Sequence, residues 1–504
     1  MTVILTTLNA RFSHSSLGLR YLLANMGELQ NESEIIEFTI QMRPIDIAEK
    51  LLARQPKIIG IGVYIWNIEE STRPDAILKQ VARWVKIVLG GPEVSFEHGE
   101  QVIVAQADYV MCGLSDRSFG RLCQQILNGP QPLMKIHPSD STPITELALP
   151  YAFYTDDDIK NRVIYVEASR GCPFKCEFCL SSLDKTAYPF ELDTFLAEME
   201  RLYERGARRF KFVDRTFNLK VESSIRIMTF FLDRLDEKLF LHFELIPDHL
   251  PERLKEVIKR FPAGSLQFEI GVQSFNPEVQ HNISRRQDNQ KSADNILWLS
   301  QESHAHMHTD LIIGLPGEDI SSIQQSFDTL VNLTPHEIQV GILKRLRGTP
   351  LIRHTETYQL RFNPYPPYNI LSTSLIDFAT LQRLSRFTRY WDLIANSGRF
   401  PNTLPLILAD SPFSNFLALS DWLFATTRQT HKIALPKLFE YLHSGSQALF
   451  DIEKEVIEKT LRNDFTASGI KGYPKFLNTP TTPARNESRQ AVTPKRQSRH
   501  LNSD

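Results

Sequence analysis

The chain has little that would staple, insert or steer it. Only 5 cysteines occur in 504 residues, too few for the disulfide framework that small secreted domains depend on. No apolar run approaches the roughly 18 residues of a membrane span. The start, Met1 to Leu8, has no basic stretch ahead of a long apolar core and predicts a first β-strand instead of a leader. An excess of one charge is missing too. Lys and Arg number 57 against 59 Asp and Glu, a formal net charge of −2, which argues against whole-protein attraction to nucleic acid or to an anionic membrane. No short-period repeat is visible, so solenoids and propellers drop out. What remains is a globular chain of about three domains by length, expected to be cytoplasmic, with no membrane or nucleic-acid partner.

What is there begins with alternation. Residues 1–135 alternate short apolar runs (Val3–Leu8, Ile35–Ile40, Ile58–Trp66, Ile87–Gly91, Tyr109–Gly113) with amphipathic stretches. That pattern predicts an α/β, doubly wound, Rossmann-like domain. Ligands on such sheets sit beyond the strands' carboxyl ends. There the chain places Asn9, Ser13, His14 and Ser15, then Tyr64, then Gly90, Gly91, Pro92 and Glu93, then Gly113. Gly90-Gly91-Pro92 also suits a plain turn, and His14 a loop hydrogen bond. A Pro-rich connector predicts a linker over 136–159. A second alternating series, 160–350, holds six strand candidates separated by helical stretches, and predicts a partial (β/α)6 barrel. Residues 351–475 read as mainly helical, their aromatics at core spacing. Residues 476–504, with Arg485, Arg489, Lys495, Arg496 and Arg499, read as a disordered polar tail.

Three of the five cysteines fall within eight residues, in Arg170-Gly171-Cys172-Pro173-Phe174-Lys175-Cys176-Glu177-Phe178-Cys179. Directly after the first strand of the second series, three thiolates can converge on one small object. A structural zinc wants four ligands. A four-iron cluster normally takes four cysteines, so three leave one iron open to a substrate or cofactor. The Cys-x3-Cys-x2-Cys spacing in this position resembles the radical S-adenosylmethionine superfamily. Five further segments resemble motifs of that superfamily, the last three being similar to oxygen-independent coproporphyrinogen oxidases: Phe210–Asn218, Phe243–Asp248, Phe268–Asn276, Ser284–Gln287 and Thr309–Gly317.

The resemblance implies a [4Fe–4S] cluster on Cys172, Cys176 and Cys179 that reductively cleaves S-adenosylmethionine to a 5′-deoxyadenosyl radical. It implies S-adenosylmethionine contacts from Phe178 (adenine), Asp214 (second-strand motif), Glu244 (methionyl amino group), Gln273 (nucleoside), Arg285 (methionyl carboxylate) and Asp310 (ribose). It further implies an electron donor such as flavodoxin or ferredoxin, and a small-molecule or other substrate that no residue identifies. Each of these side chains alone also fits a strand-end cap, an ion pair or packing. A Rossmann-like domain ahead of such a barrel resembles the cobalamin-binding class of the superfamily, so cobalamin is an expected cofactor, with methyl transfer or rearrangement as the reaction. The sequence departs from that pattern in having no Asp-x-His-x-x-Gly, so no imidazole ligand to the cobalt can be assigned. Residues 1–135 could otherwise dock substrate or a partner without cobalamin. A different reading is a zinc-stapled protein whose tail contacts nucleic acid. His304, His306 and His308 are expected to be hydrogen-bonding histidines, and Cys112 and Cys123 ordinary thiols.

Overall fold

The computed structural model describes residues 1–138, 142–184, 186–470, 474–477 and 496–500. The chain divides into two compact units, one of Met1–Arg215 with Lys344–Ile352 and Asn363–Asn369, the other of Thr216–Leu343 with Arg353–Phe362 and Ile370–Asp504.

The first unit opens with β1 (Val3–Asn9), α1 (Leu17–Ala24), β2 (Ser33–Thr39), α2 (Pro44–Leu52), β3 (Ile58–Gly62), α3 (Ile68–Val81), β4 (Lys86–Gly90), α4 (Val102–Gln106), β5 (Tyr109–Met111), α5 (Ser118–Asn128) and β6 (Ile136–His137). The strands form one parallel sheet in the order β2-β1-β3-β4-β5-β6. Every β1 residue is buried, because alternate side chains feed two cores. Val3 and Leu5 pack with Leu19, Leu23, Phe119 and Leu122, while Ile4 and Leu8 pack with Ile47, Leu51 and Leu78. A sheet covered on both faces needs such continuous apolar strands. The order changes direction between β1 and β3, opening a crevice at their carboxyl ends.

Two expectations shift here. The run Ile58–Trp66 is not one strand: Asn67 accepts from Tyr64 N (2.8 Å) and donates to Leu8 O (3.0 Å), turning the chain after Gly62 so that Tyr64 and Trp66 leave the sheet. The Pro-rich connector is not only a linker, since Ile136–His137 adds an edge strand beside β5. Farther on, Thr155 and Asp158 close a capping box on α6 (Asp156–Asn161). Asp158 and Glu37 both pair with buried Arg20 (2.7 and 3.0 Å). Next come β7 (Ile164–Val166), a two-residue hairpin of β8 (Ser169–Arg170) and β9 (Tyr188–Pro189), α7 (Leu192–Glu204) and β10 (Arg209–Phe212), parallel to β7.

The second unit continues the series with α8 (Val221–Leu232), β11 (Phe240–Leu245), α9 (Glu252–Ile258), β12 (Leu266–Gln273), α10 (Pro277–Asn282), α11 (Asn289–Glu302), β13 (His306–Ile313), α12 (Ile320–Asn332) and β14 (Glu337–Ile342). Its four strands are parallel in chain order. Counted along the chain with β7 and β10, the series has the six βα repeats predicted for a partial barrel. Here only one strand face is apolar: Leu241, Phe243, Phe268, Ile270, Met307 and Leu311 are buried. Alternation puts His242, Glu244, Glu269, His308 and Asp310 on the other. After a hairpin of β15 (Arg361–Phe362) and β16 (Ile370–Ser372) the chain turns helical: α13 (Phe378–Ile394), α14 (Leu404–Leu408), α15 (Pro412–Thr427), α16 (Leu435–Leu449) and α17 (Lys454–Ala467). Their aromatics are core, as spacing predicts: Trp391 lies edge-on to Phe327 (4.7 Å) and Phe416 (4.9 Å).

Of the region read as a tail, residues 478–495 and 501–504 lie outside the described residues, and so do Arg485, Arg489 and Lys495. Residues 496–500 correct the reading, since α18 (Gln497–His500) forms there. Arg496 reaches Glu337 (2.9 Å) and Asp392 (2.8 Å), and Gln497 donates to Gln267. The carboxylates that order this polar segment stand more than a hundred positions upstream. Among the described residues no helix is long and apolar enough to cross a membrane.

Candidate functional site

The cysteine loop hangs from the β8–β9 hairpin. Gly171 starts it at φ +93, where a Cβ would strike the carbonyl of Thr186, so only glycine lets the chain turn off β8 there. Cys172 N donates to Asp184 O (3.2 Å), Cys179 N to Cys176 O (3.1 Å), and Ser182 Oγ to Cys179 O (2.6 Å). These backbone bonds hold three half-buried thiols, none of them in a disulfide, on one short loop. Burial pushes the Cys172 thiol up, and its two neighbours would add to that if ionised, a cost that a metal's positive charge removes. Among the described residues no three His, Cys, Asp or Glu converge on a single ion. Three thiolates on one short loop can each take one iron of a four-iron cube and leave the fourth iron open. The donor set fits the cluster.

Around this loop the expected contacts divide. Phe178 is half-buried within it. Asp214 is sealed at 2% exposure. It accepts from Ser169 Oγ (2.6 Å) and Ala168 N (3.0 Å). Burial pushes its carboxyl up to about 7 against those hydrogen bonds. It fastens β10 to β8 and is not presented to a ligand, which corrects its assignment to S-adenosylmethionine. In the second unit, Gln273, Arg285 and Asp310 gather about Gly271. A Cβ there would stand 2.6 Å from Gln273 Nε2 and 3.9 Å from Arg285 Nη2. Asp310 is opposite Gly271 in the β12–β13 register, and Glu244 opposite Glu269 on the same polar face. Arg285 donates to Gly271 O and, through Nε, to Gln287 Oε1 (3.0 Å).

The first unit also contains a cavity of about 230 Å³ at the carboxyl ends of β3, β4 and β5. Tyr64, Gly90, Gly91 and Gly113 line it as expected; Gly18, Gly62, Asp116 and Arg170 are lining residues that sequence reasoning missed. The glycine pair Gly60 and Gly62 in a β-branched run was the available signal, since glycine in a strand marks a close approach. Gly91 sits at φ +106, where a Cβ would strike the Val63 carbonyl. The bare floor has room for an extended cofactor arm that side chains would fill, so the residues fit cobalamin.

The remaining candidates are occupied elsewhere. Asn9 donates to His14 O (3.1 Å) and Glu37 (3.0 Å). Ser13 O accepts from Val163 N (3.0 Å), Ser15 Oγ donates to Val163 O (2.9 Å), and His14 Nδ1 meets Tyr165 OH (2.7 Å). This loop is therefore clamped to β7 and does not line the cavity. Burial, then Arg11 and Lys211, lower the His14 pKa, which leaves a neutral imidazole. Pro92 opens a 3₁₀ turn. Glu93 is buried at 3% and bound to Arg347 Nε (2.9 Å). Neither faces the cavity. His306 hydrogen-bonds Glu337 (3.3 Å), as a bonding histidine should. Cys112 lies 3.4 Å from His98, and Cys123 is buried, its thiol pushed up to about 12.

One side chain belongs to both features. Arg170, two positions before Cys172, lines the cavity. It pairs with Glu167 (2.6 Å) and Asp116 (2.9 Å) and lies over the Tyr21 ring at 4.5 Å. Burial opposes its charge, but the two carboxylates hold the guanidinium ionised.

Comparison with known proteins agrees with this geometry. Residues 166–330 match the radical SAM superfamily, 3–122 the B12 binding domain, and 356–502 a protein family of unknown function, DUF4080. An uncharacterised methyltransferase of Pyrococcus horikoshii is 26% identical over 366 residues, 66% of this chain and 77% of that protein. The coproporphyrinogen oxidase likeness is shorter. The oxygen-independent coproporphyrinogen III oxidase of Paracoccus denitrificans is 28% identical over 95 residues, 19% of this chain and 21% of that protein. The fold matches the radical S-adenosylmethionine methyltransferase TsrM from Kitasatospora setae, solved with cobalamin and a [4Fe–4S] cluster. That match has TM-score 0.59 and 12% identity over 93% of this chain and 100% of that one. The chain thus contains a radical S-adenosylmethionine domain and, ahead of it, a B12-binding domain, the domains that go with a [4Fe–4S] cluster, S-adenosylmethionine and cobalamin.

Proposed function

We propose that this enzyme transfers the methyl group of S-adenosylmethionine to a substrate, with cobalamin seated in the glycine-floored cavity of the first unit. The observation that carries the proposal is Arg170: one compact unit joins the cavity to the cysteine loop through a single half-buried side chain. Support for methyl transfer comes from the methyltransferase names of the Pyrococcus relative and of TsrM.

In this reading Cys172, Cys176 and Cys179 ligate the cluster, which supplies the electron for cleaving the sulfonium. Glu244 pairs with the methionyl amino group, Arg285 takes the carboxylate, Gln273 and Asp310 bond the nucleoside, and Phe178 covers the adenine. Tyr64, Gly90, Gly91 and Gly113 bound the cobalamin cavity. His14 and His98, which follow β1 and β4, are already bonded to Tyr165 and Cys112, and among the described residues no histidine lines the cavity, consistent with cobalamin held without protein imidazole. A flavodoxin- or ferredoxin-class donor supplies electrons, and the reduced thiols suit a cytoplasmic setting. Reduced, reconstituted enzyme incubated with methyl-labelled S-adenosylmethionine and a small-molecule extract should release a labelled product with S-adenosylhomocysteine from methyl donation, beside 5′-deoxyadenosine and methionine from reductive cleavage. Release of 5′-deoxyadenosine alone would contradict methyl transfer.

A further inference from the structure

Beyond the end of β12 lies a buried acid that the reaction as described does not use. Glu318 follows the turn Gly314–Gly317 and is 2% exposed. Its Oε1 accepts from Ser274 Oγ (2.9 Å), and Ser274 Oγ in turn accepts from Asn276 N (3.2 Å). The backbone N–H groups of Gly314 and Leu315 lie on the side of the same carboxyl and favour its charged form. One side chain thus ties the end of β12 to the end of β13. Its other oxygen, Oε2, is buried with no hydrogen-bond partner among the described residues, and the same holds for Gln273 Oε1.

Those two atoms belong to residues that line one cavity of about 10 Å³, roughly the space of a single water. Gln273 is strained. Its φ is +71, a left-handed conformation a glutamine adopts only when its surroundings impose it. The β12–β13 register slips between Gly271 and Gln273. Two unbonded acceptor oxygens on residues that share one small cavity repel at close approach unless one of them has a proton, and only the carboxyl can take one.

We propose that Glu318, as a neutral carboxylic acid, is a positioning residue for S-adenosylmethionine. Its O–H donates into the shared cavity toward Gln273 Oε1, directly or through one water. That fixes the amide so that Gln273 Nε2 projects over Gly271, beside Arg285. The inference rests on S-adenosylmethionine binding at Gln273, Arg285 and Asp310. Burial pushes the Glu318 carboxyl up to about 8, with Asp319 adding to the rise and the Ser274 and backbone hydrogen bonds opposing it. None of the other residues lining the cavity titrates. The charged groups nearby are Asp319, which caps α12, Asp328, which accepts from Phe413 N, and Arg285 on Gly271 O.

The test is S-adenosylmethionine affinity by anaerobic equilibrium dialysis from pH 7 to 9.5, in the reconstituted wild type, Glu318→Gln and Glu318→Leu. Wild-type affinity should fall roughly tenfold more than that of Glu318→Gln between pH 7 and 9, as the acid ionises. Glu318→Gln keeps a donor at every pH and should match the wild type at pH 7. Glu318→Leu, where its thermal melt shows it folded, should bind at least tenfold more weakly at pH 7. Parallel pH profiles for wild type and Glu318→Gln would overturn the proposal, as would wild-type affinity in Glu318→Leu. No binding by any of the proteins at any pH would overturn the cofactor assignment and the proposal with it.

Discussion

The two parallel sheets solve the same packing problem with opposite materials. In the N-terminal sheet both faces are apolar, and the space for a ligand is made by omission, with Gly62, Gly90, Gly91 and Gly113 around a cavity of about 230 Å³. In the second unit one face packs on helices. The other bears Glu244, Glu269, His308, Asp310 and the Gln273–Arg285 pair around Gly271. A sheet buried on both sides offers only its edge to a ligand, whereas a barrel wall can present polar side chains along its inner face. The first arrangement suits a large cofactor held by shape. The second suits a small, charged one held by specific polar pairs.

The largest expected effect breaks the pairing of functions. Cys172→Ala together with Cys176→Ala should remove the iron while leaving the corrinoid content unchanged, since no cysteine of the triad lines the cavity; iron assay and the visible spectrum of one sample decide it. Loss of both cofactors would mean that the cavity and the loop are not separable.

The next effect is on the floor of the first sheet. Gly91→Ala puts a Cβ on the Val63 carbonyl at φ +106 and should cost about 3 kcal/mol of stability. Next door, a Cβ at Gly90 meets nothing within 4 Å. Gly90→Ala should therefore melt like the wild type and weaken only cobalamin binding. Equal melting temperatures for the two variants would show that the floor is not built by close approach.

A smaller effect concerns an acid lodged in the apolar half. Asp75 on α3 is fully buried, neither carboxylate oxygen has a partner among the described residues, and burial pushes it up to about 7. Because the folded state holds this proton more tightly than the unfolded chain, stability falls as pH rises from about 4 through 7. Asp75→Asn should leave stability near the wild-type value at pH 4.5 and raise it by roughly 2–3 kcal/mol at pH 8. Denaturant melts at the two pH values check the sign, and a variant weakened equally at both would refute it.

The cysteine triad was legible because ligation is local and its spacing is written in eight consecutive residues. The first sheet was legible because apolar alternation survives any loop. What could not be read was which strand-end residues are free. Asn9, Ser13, His14 and Ser15 stand where a cofactor would be sought, but their loop is clamped by Val163 and Tyr165, about 150 positions away. Arg347 takes Glu93 from a separation of 254. Asp214 is taken by Ser169, 45 positions before it. Polar composition likewise hid the order of residues 496–500, because the carboxylates that fix Arg496 lie at 337 and 392. Local chemistry can be read from a sequence, whereas a competing partner at long range can be seen only in the fold.

The central claim is that one chain holds an iron–sulfur cluster and cobalamin together, side by side in its first unit. The most direct test is anaerobic purification followed by iron, sulfide, zinc and corrinoid assays on the same sample. About four irons, four sulfides and one corrinoid per chain are expected. One zinc without sulfide, or a cluster with no corrinoid even after reconstitution with hydroxocobalamin, would contradict it.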